Sequence, residues 1–404
     1  MSHQKIYERF IDRLKQSWWG LPEAEELMPL IKATYTPEEA SLLTGMPPSA
    51  VNVEELAEMK QMDTVELRVR LDALAEKGLV FRTIRGETIR YRLNDSFFVH
   101  YRSAFWAGHT DEWTKAIAPL VNQYYYHGGF DQYDLTHLKA LRVLPIQQTI
   151  EDTRQILPYE DTIKLLDSVN YFTVSTCPCR HRKNIDPDSP NCKYPGPGGN
   201  IEVCLHFNQL GKYIVENGLG REITRQETED ILRGCAEAGL VHGVSNQQEG
   251  VDTICNCCRD CCICFEALYK LKHSMSLSPA NYRVRNSPEL CIGCGLCVKR
   301  CPMGAIHLED FPEAKNRITM VAAENENGKK ELKNKTGKVS VVNPDLCIGC
   351  GVCAYKCPTE SLTLERREVI EEPPKDAREY ARLVIADFAA AQAQPEHGSS
   401  KKNK

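Results

Sequence analysis

What this 404-residue chain lacks sets the first boundaries. No apolar run approaches the roughly 20 residues needed to cross a bilayer, so no membrane insertion is expected. Residues 1–15 are mixed polar and charged, with neither an apolar signal core nor a twin-arginine pair, and the expected location is the cytoplasm. There is no G-x-x-x-x-G-K-[ST] loop, so nucleotide hydrolysis has no support. "GPGGN" at 196–200 and "GLGRE" at 218–222 lack the strand–turn–helix setting of a dinucleotide site, and neither H-E-x-x-H nor a nucleophile elbow occurs. A net charge of −5 gives no global pull toward nucleic acid or an acidic surface. Cysteine is absent until Cys177.

From there to Cys357 the chain carries 19 cysteines. An odd count, no export signal and tight C-x-x-C spacing argue against a disulfide framework and for metal ligation. The length suggests two to four domains. Hydrophobic content of 42% and charged content of 26% are ordinary for a globular protein.

Periodicity and turn residues divide the chain. Helices are expected at 6–18, after Thr36-Pro37, at 53–59 and at 64–77, the last capped by Asp63, stopped by Gly78 and striped by Val65, Leu67, Leu71 and Leu74. Residues 79–93 read as two strands around an Arg85-Gly86 turn. This order, with "LDALAEKGLVFRTIRGETIRYRL", resembles the third helix and wing of a winged helix-turn-helix domain, placed at 1–100. Residues 101–168 read as a helical connector, with Trp106, Trp113, Tyr124, Tyr125 and Tyr126 as core. A cysteine-rich middle domain spans 169–275 and includes a helix at 222–240 capped by Thr224. The fold class is therefore α+β and multidomain. Residues 276–370 hold a repeat, and 371–404 a last helix at 376–391 and a disordered tail.

The repeat is direct. "PELCIGCGLCVKRCPMGAIHLE" at 288–309 and "PDLCIGCGVCAYKCPTESLTLE" at 344–365 are identical at 12 of 22 positions, each C-x2-C-x2-C-x3-C-P. Soft thiolates suit iron–sulfur clusters, and the two-residue gaps let one loop wrap three corners of a cube. Gly293, Gly295, Gly349 and Gly351 free the backbone to approach cluster sulfides, and Ile292 and Ile348 would shield them from water. A zinc ribbon would need two C-x2-C pairs rather than two sets of four. The segment resembles bacterial-type ferredoxins with two [4Fe–4S] clusters. That resemblance implies one cluster on Cys291, Cys294, Cys297 and Cys357, and a second on Cys347, Cys350, Cys353 and Cys301. The insert at 311–342 reads as a protruding β-hairpin that could meet a partner.

The middle cysteines form two groups: Cys177, Cys179, Cys192 and Cys204, then Cys255, Cys257, Cys258, Cys261, Cys262 and Cys264 in "ICNCCRDCCICF". Six thiols in ten residues are hard to explain as packing and would be an oxidation hazard if unliganded. They imply at least one further metal centre, an additional iron–sulfur cluster or zinc. Adjacent cysteines point different ways, so they serve two centres or a non-cubane cluster. His181 and His206 read as hydrogen-bonded histidines that could instead replace thiolates. The run Arg180-His181-Arg182-Lys183 reads as an anion site, a tuner of cluster potential or a solvated loop. Cys235 reads as a small core residue. The whole layout resembles uncharacterised 4Fe–4S binding proteins of anaerobic bacteria.

The expected function is an iron–sulfur electron-transfer protein, or a redox subunit serving a redox protein partner or a larger oxidoreductase complex; the catalytic residues are unassigned. A rival is a redox-sensing regulator that binds DNA through Arg68, Arg70, Arg82, Arg85, Arg90 and Arg92, diluted by Glu66, Asp72 and Glu76. A third reading is a reductase whose chemistry sits on the middle cysteines.

Overall fold

The chain opens on a helix, His3–Lys15, because Tyr7, Phe10, Ile11 and Leu14 recur on one face and are buried there. This computed structural model describes residues 2–17, 20–129, 136–189, 191–271, 276–322 and 329–393; Trp18, at the end of the expected first helix, lies outside them, as does the tail at 394–404. A capping box between Thr36 and Glu39 starts the helix Pro37–Leu43. Asp63 caps Thr64–Glu76 by accepting from the N–H groups of Val65 and Glu66, and Gly78, at φ +74°, ends it. That helix buries Leu67, Leu71 and Leu74. Val65, expected in the same stripe, is 71% exposed. It sits two residues before Leu67, about 200° round the helix.

Three short strands, β1 (Val51–Asn52), β2 (Val80–Arg85) and β3 (Thr88–Leu93), form an antiparallel sheet in the order β1-β3-β2. The β2–β3 hairpin does not stand free. Phe81 meets the Tyr213 ring at 4.7 Å, the Tyr213 hydroxyl donates to the Val80 carbonyl, and Arg82 donates to the Glu216 carbonyl at 2.7 Å. Trp106, Tyr124 and Tyr125 are buried, as core aromatics should be.

Behind this lies a six-stranded sheet of β4 (Leu141–Leu144), β5 (Phe172–Thr176), β6 (Glu202–Phe207), β7 (Arg221–Ile223), β8 (Val241–Ser245) and β9 (Thr253–Cys257). Its order is β4-β8-β9-β6-β5-β7, and neighbouring strands run antiparallel. β4 corrects the expectation that 101–168 is a helical connector. Helices Glu112–Tyr124 and Thr162–Asp167 are present, but Leu141–Leu144 is a fully buried edge strand of four residues, too short to show a period of two. Val174, Leu205, Val244 and Ile254 pack on one face of the sheet. Side chains alternate along a strand, so Cys204, Cys255 and Cys257 fall on the other. Thr224 caps the helix Arg225–Ala238 that covers the sheet, and Gly239, at φ +84°, closes it.

The C-terminal repeat builds two similar halves. β10 (Tyr282–Asn286) pairs with β15 (Leu362–Arg366), and β11 (Ile306–Asp310) with β14 (Lys338–Val342). Short helices Leu296–Arg300 and Val352–Tyr355 follow the two cysteine loops. The insert does form a hairpin, β12 (Ile318–Ala322) against β13 (Lys329–Lys333), while its last strand, β14, belongs to the domain proper. Gly349 sits at φ +72°, where an added Cβ would lie 2.2 Å from the Tyr282 carbonyl oxygen. Gly349→Ala should therefore cost at least about 2 kcal/mol, read as a lower melting temperature of the anaerobic holoprotein.

The repeat is tied to the sheet. Arg300 donates to the Ala236 and Glu237 carbonyls at 2.8 and 3.0 Å, at the negative end of the helix Arg225–Ala238. Ser278 donates to the Leu141 carbonyl at 3.0 Å, and Ile146 donates to the Cys350 carbonyl at 3.1 Å. The final helix, Ala377–Ala393, is held by Asp387, which accepts from the backbone of His137 and Leu138. Among the described residues no helix is long and apolar enough to cross a membrane.

Candidate metal centres

The two C-terminal loops gather their thiols in fours. Cys291, Cys294 and Cys297 line one cavity together with Cys357 from the other loop. Cys347, Cys350 and Cys353 line a second with Cys301. The exchange follows from local geometry: each short helix carries the chain away from the three clustered cysteines before the fourth is reached. Ile292 borders the first cavity and Ile348 the second. N–H groups already point at sulfur: Gly293 and Ser340 at Cys291 (both 3.4 Å), and Ala305 at Cys301 (3.2 Å). The Ser361 hydroxyl lies 3.3 Å from Cys357 Sγ. Burial and the neighbouring thiols push Cys297 and Cys350 up to about 12. Four convergent soft donors, open glycine backbones and N–H groups aimed at sulfur fit an iron–sulfur cube.

Residues 290–361 match the 4Fe-4S dicluster domain family. Ferredoxin-3 of Rhodobacter capsulatus is 30% identical over 82 residues, which cover 20% of this chain and 79% of that protein. The chain belongs, through this segment, to the ferredoxin family. Putative ferredoxin-3 of Sinorhizobium fredii is 34% identical over 73 residues, 18% of this chain and 68% of that protein. The pyruvate-flavodoxin oxidoreductase of Rhodospirillum rubrum is 32% identical over 117 residues, but the chain spans only 10% of its length. No solved structure matches the chain significantly. The similarity thus names the ferredoxin domain and leaves the larger part of the chain to its own geometry.

Beside the ferredoxin domain, eight middle thiols line one buried cavity: the seven of Cys177, Cys179, Cys204, Cys255, Cys257, Cys262 and Cys264, and Cys258, which is shared with a second group. Pairing of β6 with β9 sets Leu205 opposite Ile254, which puts Cys204 across from Cys255. Cys177 and Cys262 are the N-caps of the helices Pro178–Ile185 and Ile263–Lys270, and hydrogen bonds to neighbouring thiols together with burial push both of these thiols well above the usual range. Hydrogen bonds from Cys177 and Cys262 hold Cys179 well below the usual thiol range, and bonds from Cys204 and Cys257 do the same for Cys255. Arg102, from the helix Phe97–Ser103, donates to Cys204 at 3.9 Å and to Cys255 at 3.8 Å.

Cys192 and Cys261 lie outside that lining and join Cys258 in a second group. Cys192, Cys258 and Cys261, joined by Asp260, place one donor atom each within 4.8 Å of all the others. The adjacent pairs are divided in part: Cys257 and Cys262 line the large cavity, Cys261 belongs to the smaller group, and Cys258 borders both. Arg180, fully buried, lies between, with its charge felt at Cys177 and Cys257 on one side and Cys258 and Cys192 on the other. Its guanidinium donates to the Tyr194 and Asn256 carbonyls.

The neighbouring polar residues are mostly structural. His181 Nε2 meets the His109 carbonyl at 2.7 Å, and His206 lies between Ser175 Oγ and Thr253 Oγ1, so both histidines are hydrogen-bonded without a metal. The run Arg180 to Lys183 is not a solvated loop; all four side chains are buried, and Arg182 and Lys183 face Glu266. Cys235 is buried in the core, where desolvation pushes its thiol up to about 12. Two contributors carried no sequence signal of their own or an overlooked one. Arg102 comes from a distant helix, whereas Asp260 sits in plain view inside "CCRDCC".

The basic residues expected to meet DNA are largely engaged. Arg68 pairs with Asp72, Arg70 with Glu66, and Arg82 with Asp72. Arg85, Arg90 and Arg92 instead line a cleft of about 700 Å³ together with Phe81, Tyr213 and Arg102.

Proposed function

We propose that this chain is an iron–sulfur electron-transfer protein whose ferredoxin domain exchanges electrons with a third centre on the seven middle thiols. Cys291, Cys294, Cys297 and Cys357 would hold one [4Fe–4S] cluster, Cys347, Cys350, Cys353 and Cys301 a second. Such clusters supply one-electron couples, tuned by burial and by hydrogen bonds to sulfur. The observation that carries the reading is a continuous connection. The second thiol set bonds to Ile146 through the Cys350 carbonyl, and Leu141, five residues earlier at the start of β4, lines the seven-thiol cavity. Five residues of chain span at most about 18 Å. The first set carries Cys294, the exposed member of the eight, where a redox partner would approach. Arg300, beside Cys353 and Cys350, places a positive charge against the second set and its backbone bonds hold that set on the sheet.

Iron and acid-labile sulfide on anaerobically purified protein test this reading. It expects more than the roughly eight irons of a two-cluster ferredoxin, with sulfide in proportion. About eight would leave the seven thiols without an iron cluster, and near zero would remove the proposal altogether.

One observation favours a second reading, a reductase. The 700 Å³ cleft falls within the usual range of small-ligand sites and meets the seven-thiol cavity at Arg102 and Leu141, which line both. Its arginines suit a small organic anion. In either reading Arg102 stabilises negative charge at the thiols. Arg102→Gln should lower the potential of the third centre by roughly 50–100 mV, the one-electron equivalent of about 1–2 kcal/mol, in a potentiometric titration. Oxidation of the reduced protein by small anionic acceptors, weakened in the same variant, would select the reductase.

A further inference from the structure

We propose that Cys192, Cys258, Cys261 and Asp260 hold a single tetrahedral metal ion, zinc by the match of its donors, distinct from the iron–sulfur clusters although Cys258 also borders the large thiol cavity. The spacing decides between an ion and a cluster. Four ligands around one ion at metal–sulfur distances of about 2.3 Å form a tetrahedron whose edges are about 3.8 Å. Cys192 Sγ lies 3.8 Å from Cys258 Sγ and 3.8 Å from Asp260 Oδ1. In a four-iron cluster each cysteine bonds a different iron, so the sulfurs spread round the whole cluster and do not converge on one point.

The supporting groups fit a closed site. Cys258 and Cys261 have the C-x2-C spacing of a chelating turn, directly after β9, and both are buried. Asp260 divides its oxygens: Oδ1 faces Cys192, while Oδ2 accepts the Lys193 N–H at 2.6 Å, which fixes the orientation of a ligating carboxylate. Cys192 is held by its own backbone N–H, which donates to Asn184 Oδ1 at 3.1 Å. Three thiolates and a carboxylate outweigh a divalent ion by two charges, and Arg180 supplies a neighbouring positive charge. With four protein donors there is no open position, so the ion is structural. It clamps the loop at 191–194 onto the turn at 258–261 and thereby secures Arg180 against the seven thiols.

The test uses the full chain, purified without oxygen, with zinc, iron and sulfide measured by elemental and chemical analysis. The native protein should hold one zinc with a first shell of three sulfurs and one oxygen in X-ray absorption. Cys258→Ser and Asp260→Asn should each lose that ion at least fivefold under mild chelation, with iron and sulfide unchanged; one iron lost without sulfide supports the single-ion site equally. Loss of several irons together with sulfide, or no metal loss in either variant, would overturn it. If Cys258→Ser does not fold, Asp260→Asn and the absorption spectrum of the native protein decide. Because iron and sulfide are counted separately, failure here is distinguishable from failure of the electron-transfer reading.

Discussion

Cys294→Ala abolishes the [4Fe–4S] signal of one ferredoxin site and leaves the other, when the anaerobic variant is reduced and followed by electron paramagnetic resonance. The thiol is the exposed member of its set, so its removal opens no buried void, and the loss is of a ligand rather than of packing. Its partners Cys291, Cys297 and Cys357 stay in place, because their positions are set by the Leu296–Arg300 helix and by the β11–β14 and β10–β15 pairs. The helical N-terminal region, whose core includes none of these cysteines, should keep its circular dichroism. Iron content and signals unchanged from the native protein would show that Cys294 is not a ligand.

Glu266→Gln should be strongly destabilising, although Glu266 is not among the thiol ligands. Glu266 is buried and faces Lys183 at 3.1 Å and Arg182 at 3.7 Å, both equally shut off from water. Removing the carboxylate charge leaves two buried cations short of their counter-charge, which costs about 3–5 kcal/mol. The damage is local in origin: Arg182 and Lys183 lie on the helix that presents Cys179, and Glu266 on the helix that presents Cys264. The variant should melt at lower temperature and lose third-centre iron first, with ferredoxin signals persisting. Lys183→Met in the same background should recover part of the loss, since it removes one of the stranded charges. A melting temperature equal to the native value would contradict this account of the pair.

How much of this was legible in the residues depends on how local the signal was. The eight ferredoxin cysteines stand in two copies of one short motif, so the spacing points to the chemistry, while the exchange of the fourth thiol between loops came from the resemblance to two-cluster ferredoxins. The helix caps at Thr36, Asp63 and Thr224 are local too, and the structure has them where the residues place them. The middle thiols were visible as a metal-binding set, but not their division. That division depends on strand alternation at Cys255 and Cys257, on the turn that follows, and on Cys192 arriving from another segment. β4 was hidden because four buried residues have no readable period. Arg102 was hidden because its meeting with Cys204 and Cys255 is made by tertiary packing. The basic hairpin shows the opposite error. Its arginines are real, but the pairing of Arg68, Arg70 and Arg82 with nearby acids, and the docking of the hairpin on Tyr213, are decided by neighbours far along the chain.

The central claim is that the ferredoxin domain and the middle thiols form one electron pathway. A potentiometric dithionite titration of the anaerobic full chain, monitored by electron paramagnetic resonance, tests it most directly. The account predicts at least three one-electron uptakes per chain, with spectral broadening as neighbouring centres become reduced together. Two uptakes from the ferredoxin domain, with no further reducible centre and no change on altering Arg102, would contradict it.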